Sequence, residues 1–197
     1  MIAVLASNNS HKLDEIRALM ADKFDKVCSL SDMDIHTDID ETGTTFEENA
    51  FIKAQTIFDM LGGRYAVIAD DSGLCVEALG GAPGVYSARY AGEPCDDGKN
   101  NRLLLKNLHE RESLFPKNRR AYFASVVAAV LPDGRKLSGE GRVYGEVLDE
   151  YRGTGGFGYD PLFYCEELGK TFAEASMAEK NTVSHRARAL AALKEKL

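Results

Sequence analysis

Short unbroken apolar runs alternate along this chain with longer stretches in which apolar residues return every three or four positions. Ile2-Ala3-Val4-Leu5-Ala6 is a run without polar alternation, the pattern of a strand covered on both faces. Leu13, Ile16, Leu19 and Met20 then recur at helical spacing over His11–Met20, and Val27–Leu30 reads as a second strand. Phe46, Ala50, Ala54, Ile57, Phe58 and Leu61 make one apolar stripe. The helix they predict opens on a Thr45/Glu48 capping box and stops at Gly62-Gly63. Tyr65–Ala69 reads as a buried strand ending in Asp70-Asp71-Ser72-Gly73, and Leu74–Leu79 as another strand. Asp96–Glu112 reads as a helix through Leu103, Leu104, Leu105 and Leu108. Arg120–Leu131 and Lys136–Leu148 are long strands joined by a Pro132-Asp133-Gly134 hairpin turn. A single C-terminal helix is expected from Ser176 and Glu179 at its cap, with Val183, Ala187, Leu190 and Leu197 facing the core. Two long strands without a helix between them predict an α/β fold whose sheet is mixed and elongated rather than doubly wound.

Composition narrows the class. A chain of 197 residues fits one domain, or one domain with two lobes, and can bury roughly 70% of its unfolded surface without staples. The net charge of −7 argues against a long nucleic acid as the main partner, although a small polyanion in a local basic pocket is compatible with it. Cys28, Cys75, Cys95 and Cys165 are far apart and form no Cys-x-x-Cys pair, so they read as reduced thiols. No apolar run approaches membrane-spanning length, and Ile2–Ala6 is too short and lacks the basic flank of a signal peptide. These readings predict a cytoplasmic protein with no membrane partner.

Candidate chemistry gathers at a few places. Asp70 and Asp71 adjoin apolar chain, where carboxylates are costly unless a cation or a proton offsets them. Read alone, the pair fits the start of an Asx-type turn equally well. Ser7-Asn8-Asn9-Ser10 joins a strand to a helix, an arrangement that attracts anions, and Lys12 lies in the first turn of that helix, where a bound phosphate would relieve its conflict with the dipole. Asn49 and Lys53 are four apart and can point the same way; either could also be a plain surface residue of an amphipathic helix. The acidic run Asp32–Glu41 lacks EF-hand spacing, and only Asp40 and Glu41 adjoin an informative segment. Gly153-Thr154-Gly155-Gly156-Phe157-Gly158 matches a dinucleotide fingerprint by letters alone, because Tyr159-Asp160-Pro161 prevents the helix that should follow. The loop instead offers flexible backbone and aromatics suited to a planar ring. Lys180, His185 and Arg186 make the C-terminal stretch basic in an acidic chain.

Taken together these segments resemble the inosine triphosphate pyrophosphatase family. The matching pieces are Ser7-x-Asn9-x-x-Lys12, Glu41-Thr42-Gly43, Phe46-Glu47-Glu48-Asn49-Ala50 with Lys53, and Ala69-Asp70-Asp71-Ser72-Gly73-Leu74. They continue with Leu79–Tyr90, Gly155–Pro161, Glu179-Lys180-Asn181 and Ser184-His185-Arg186, nearly end to end and in order. Asn8 and His11 stand where the family often has glycine.

The resemblance implies one pyrophosphatase domain over residues 1–197, a two-lobed α/β fold with a long central mixed β-sheet flanked by helices, and an active-site cleft between the lobes. It implies a homodimer and Mg²⁺-dependent hydrolysis of non-standard purine nucleoside triphosphates (ITP, dITP, XTP) to the monophosphate and pyrophosphate. Asp71, Asp70 and Lys53 are then expected to be catalytic, with Asp71 as the base that activates water and Asp70 as its close support. Asp71 and either Asp40 or Glu41 are expected to hold the metal. Ser7, Asn8, Asn9, Ser10, His11, Lys12, Asn49, Ser72, Phe157, Gly158, Tyr159, Asp160, Lys180, His185 and Arg186 are expected to bind substrate. Hypoxanthine and xanthine carry a 6-oxo acceptor where adenine carries an amino donor, and His185 and Arg186 can donate to it. A non-catalytic nucleotide sensor would need the cations and the base loop but not the paired acids.

Overall fold

The computed structural model describes residues 1–197, save the side chains of Ser10 and His11. Among the described residues the strands are β1 (Ile2–Leu5), β2 (Lys26–Cys28), β3 (Ala66–Val76), β4 (Arg120–Val130), β5 (Lys136–Val147), β6 (Phe163–Cys165) and β7 (Lys170–Thr171). The helices are α1 (Ser10–Met20), α2 (Phe46–Met60), α3 (Asp97–Glu112), α4 (Met177–Val183) and α5 (His185–Lys194). The strand order is β2-β1-β3-β4-β5-β6-β7. β1 pairs in parallel with β2 and β3, whereas β6 pairs antiparallel with β5 and β7, so the sheet is mixed as its pattern predicts. No helix is long and apolar enough to cross a membrane among the described residues.

The chain forms two compact units. One comprises residues 1–71, 125–141 and 186–197, the other residues 72–124 and 142–185. In the first unit the alternation of strand side chains splits the core in two. Ala3, Leu5, Ala66 and Ile68 pack with Ile16 and Met20 of α1 and with Ala189, Leu190 and Leu193 of α5. Val4, Val67 and Ala69 pack with Ala50, Ala54 and Ile57 of α2. At the α5 contact, Gly139 of β5 lets two backbones meet: a Cβ there would stand 2.5 Å from the Leu193 nitrogen and closer still to the Ala189 carbonyl oxygen. In the second unit, Leu104 and Leu108 of α3 pack with Leu74, Val76, Phe123, Phe163 and Phe172.

Two expectations need correction. Asp70–Gly73 is neither a strand end nor a turn. It lies inside one continuous strand, with Ala66–Ala69 and Leu74–Val76 as its two ends, and only Glu77–Leu79 turns away as a 3₁₀ helix. Asp and Gly are poor strand formers, but paired charges hold them here, as described below. The single expected C-terminal helix is two. Ser184 adopts an extended conformation (φ −63°, ψ 152°), ending α4 and starting α5 in a new direction. The capping boxes at Thr45/Glu48 and Ser176/Glu179 form as the spacing predicts.

Candidate active site

Neighbouring residues on a strand point to opposite faces. Asp70 shares a face with Ala66 and Ile68, towards α1 and α5, and Asp71 shares one with Val67 and Ala69, towards α2. Each acid therefore has its own partners. Lys12 approaches Asp70 Oδ2 to 3.1 Å, and Arg186 Nε donates to the same oxygen at 3.2 Å. Arg186 Nη1 in turn donates to Glu15 of α1 in a short ion pair. Asp70, Arg186 and Glu15 are all buried.

On the other face, Asn49 Nδ2 donates to Asp71 Oδ2 at 3.1 Å and Lys53 Nζ to Asp71 Oδ1 at 3.3 Å. Lys53 also bonds Glu41 Oε1 at 2.5 Å, so one ammonium draws two carboxylates together. Asn49 cannot swing away, because its Oδ1 accepts the Gly43 N–H at 2.8 Å. Only glycine permits that approach: a Cβ on residue 43 would lie 2.7 Å from both the Asn49 oxygen and the Glu48 Cβ.

These surroundings drive the two acids apart. Burial raises the Asp70 carboxyl, but Lys12, Arg186 and Lys53 more than reverse it, so Asp70 stays ionised well below the usual range. Burial dominates at Asp71 and, with Glu41 nearby, raises its pKa against the pull of Lys53. Lys12 is shifted down by its own burial despite Asp70. Lys53 is shifted up, because Asp71, Asp70 and Glu41 together outweigh burial. A pocket of about 180 Å³ in this unit is lined by Ser7, Asn8, Lys12, Asp38, Glu41 and Lys53, among others. Asn9 caps α1 by accepting the Lys12 N–H at 3.2 Å, and Ser7 Oγ accepts the Asn9 N–H at 3.2 Å. Asp40 is exposed and does not line this pocket. The Ser10 and His11 side chains, expected to bind substrate, lie outside the described residues.

The second unit holds the aromatic loop. Asp160 Oδ2 accepts the Phe157 N–H at 3.0 Å and the Lys180 ammonium at 2.7 Å. Lys180 also lies over the Phe157 and Phe172 rings, 4.8 and 5.2 Å from their centroids. His185 is buried and stacks on Phe123 with centroids 4.8 Å apart. Tyr159 donates its hydroxyl to the Ser87 carbonyl at 2.8 Å, and burial pushes its phenol well up. Ser72 is half-buried within β3.

The chain matches the model of the Ham1 family over residues 3–196. It belongs to the Ham1 family. A dITP/XTP pyrophosphatase of Clostridium perfringens is 48% identical to it over 198 residues, covering 98% of this chain and 96% of the relative. The structure of the Staphylococcus aureus Ham1 protein matches with a TM-score of 0.84 at 40% identity, each chain covered in full. A Ham1 protein from Coxiella burnetii matches with a TM-score of 0.87 at 38% identity, over all of this chain and 98% of that one.

Some polar residues of this Ham1 chain escape a reading of its motifs. Glu15 is one. Its place three residues after Lys12 on the same helix face was the available signal. Asp38 is another, reading as one charge in a solvated acidic run although it lines the pocket beside Glu41. His109, Glu112 and Asp149 bring ligand atoms within 4.8 Å of one another. Arg119 already bonds both of those acids and Lys117 bonds Asp149, so the Ham1 chain supplies its own cations there.

Proposed function

We infer that this Ham1-family chain is a nucleoside triphosphate pyrophosphatase acting on non-standard purine nucleotides (ITP, dITP and XTP). Water attacks the α-phosphorus, the bond from that phosphorus to the α–β bridging oxygen breaks, and the nucleoside monophosphate and pyrophosphate leave. The observation that carries this reading is the Glu41–Lys53–Asp71 cluster with Asn49 on its far side. It is a buried carboxylate, held in one orientation, whose pKa is raised towards the range where a base works best. In this reading Asp71 takes the proton of the attacking water and Lys53 keeps it in place. Lys12 and Lys53 supply positive charge to a triphosphate. Asp70, ionised between Lys12 and Arg186, holds those cations.

The donor set also fits Mg²⁺, which prefers carboxylate oxygens; Glu41 and Asp71 would hold it, with Asp40 left outside. When bound, Mg²⁺ would neutralise phosphate charge and keep waters in its shell. Phe157, Gly158, Tyr159, Asp160, His185 and Arg186 are assigned to the base, with Phe157 stacking on it, and Lys180 to the triphosphate charge along with Lys12 and Lys53. The names of the relatives and the order of the matching motifs support the purine preference. A homodimer and a cytoplasmic location belong to the same proposal on the family resemblance, and sedimentation would test the first.

Pyrophosphate release across a nucleotide panel, with and without EDTA, is the experiment. ITP and XTP should far outpace ATP and GTP, and EDTA should abolish the reaction. Stepwise release of orthophosphate, or full activity in excess EDTA, would overturn the reading.

A further inference from the structure

The start of α3 grips the aromatic loop at a single residue. Gly158 donates its N–H to Asp97 Oδ2 at 2.7 Å, and its carbonyl accepts from Asn101 Nδ2 at 2.9 Å. Asp97 and Asn101 are four apart and so share one helix face. Both backbone groups of Gly158 are thus held by one helix. No neighbouring atom crowds the side-chain position of Gly158: its φ is +61°, and a Cβ built on it would meet nothing within 4 Å among the described residues.

The helix itself is firm. Asp96 caps it by accepting the Lys99 N–H at 2.8 Å, and Leu104 and Leu108 are fully buried. Between the two gripping residues, Asn100 accepts the Ala91 N–H and donates to the Ala88 carbonyl, both at 2.8 Å. That fixes the 3₁₀ turn Gly84–Arg89, whose Ser87 carbonyl receives the Tyr159 hydroxyl. The helix start therefore sets the loop directly at Gly158 and, through that turn, at Tyr159.

The two bonds orient two successive peptide planes. The Gly158 N–H belongs to the 157–158 peptide and its carbonyl to the 158–159 peptide. In a planar trans peptide the N–H and C=O point in opposite directions. With the Gly158 carbonyl drawn to Asn101, the Tyr159 N–H is turned away from α3. An amide donor held in a fixed direction suits a purine carbonyl and opposes an adenine amino group.

We propose that Asn101, assisted by Asp97, is a positioning residue for base discrimination, setting the Gly158 peptides of the loop without touching the phosphate chemistry. This rests on the assignment of Phe157–Asp160 to the base. Asn101 is buried and Asp97 exposed, so Asn101 has the larger effect. A base contact that is lost or misaligned weakens the preferred purine and not its competitor, so Asn101→Ala should lower the ITP:ATP ratio of kcat/KM by about tenfold. The loss should fall mainly on KM for ITP, with kcat at saturation within about threefold, as expected when binding is what is lost. Asp97→Ala should move the ratio in the same direction by less, and Asp97→Asn, which keeps an acceptor for the Gly158 N–H, should restore it. The Mg²⁺ concentration for half-activation should not move.

Steady-state kinetics on ITP, XTP and ATP for the full chain, with Phe157→Ala alongside, decides the matter. A smaller ratio in Asn101→Ala and Asp97→Ala, rescued by Asp97→Asn, supports the proposal. Ratios within twofold of wild type in both alanine variants overturn it, as does an equal loss for ITP and ATP carried by kcat. If Phe157→Ala alone lowers the ratio, the base assignment stands and only the role of α3 fails. If Phe157→Ala leaves the ratio unchanged as well, the base assignment fails with it.

Discussion

Changing Asp70→Asn should damage stability more than any other single substitution among the acids of β3. The side chain of Asp70 is fully buried, and those of Lys12 and Arg186 are 17% and 1% exposed. The amide keeps the shape and one acceptor, but it leaves two cations facing each other without the anion between them. Removing one partner of a buried ion pair costs about 3–5 kcal/mol, because the other charge stays buried and uncompensated. Arg186 retains Glu15 and Lys12 can reach solvent, so the lower end, about 3 kcal/mol, applies. For a chain of this length each kcal/mol moves Tm by about 2–4 °C, giving a fall of about 6–12 °C. Thermal unfolding followed by circular dichroism, wild type against variant at pH 7, measures it. A Tm within 2 °C of wild type would show that Asp70 does not balance Lys12 and Arg186, and the charge argument would be wrong.

The other predictions concern chemistry and pH. Asp71→Asn should lower kcat by roughly 10²–10⁴ while leaving Tm close to wild type, since Lys53 keeps Glu41; near wild-type turnover at saturating Mg²⁺ would remove Asp71 as base. Lys53→Ala should fold and lose turnover, with a higher Mg²⁺ requirement if Glu41 and Asp71 share the metal; an unchanged rate would break that link. Arg186→Ala, compared at a temperature where it is folded, should lower kcat/KM for ITP more than for ATP, and an unchanged ratio would leave Arg186 only its bonds to Asp70 and Glu15. Glu179 is held down to about 2, from 4.5, by the Lys170 ammonium and the Ser176 N–H. Its stabilising effect is present above pH 4.5 and lost as pH falls through about 2. The Tm gap between wild type and Glu179→Gln should therefore narrow over that window, and a constant gap would refute it.

Sequence spacing was a good guide where the cause is local. The Thr45/Glu48 and Ser176/Glu179 boxes, the Asn49/Lys53 pair and the long strands β4 and β5 depend on neighbours a few residues apart, and all form. It was a poor guide where distant residues override propensity. The flanking apolar runs read as strands, but Asp70–Gly73 itself does not; the extended backbone there is compatible with two aspartates only because Lys12, Lys53, Asn49 and Arg186 arrive from other elements. The break at Ser184 was similarly hidden, since the apolar spacing of Val183, Ala187 and Leu190 suits one helix. Lys12, Lys53 and Lys180 and the acids they meet, Asp70, Glu41, Asp71 and Asp160, are all candidates by motif, but which cation pairs with which acid is set by the fold and cannot be read from spacing. Glu15, Asp38, Asp97 and Asn101 belong to no conspicuous motif, and only their contacts give them meaning.

The contact at Gly139 bears on how loss-of-function variants in this chain are interpreted. The residue carries no charge and has no chemistry to offer, and it is distant in sequence from Glu41, Lys53, Asp70 and Asp71. Yet α5 rests directly on its backbone, and that helix carries the guanidinium beside Asp70. Any side chain at residue 139 must lift the helix, and Arg186 would move with it. A mutational scan scored only by activity would rank Gly139 with the catalytic residues. Pairing that scan with a measure of folded protein would separate a lifted helix from a lost reactant.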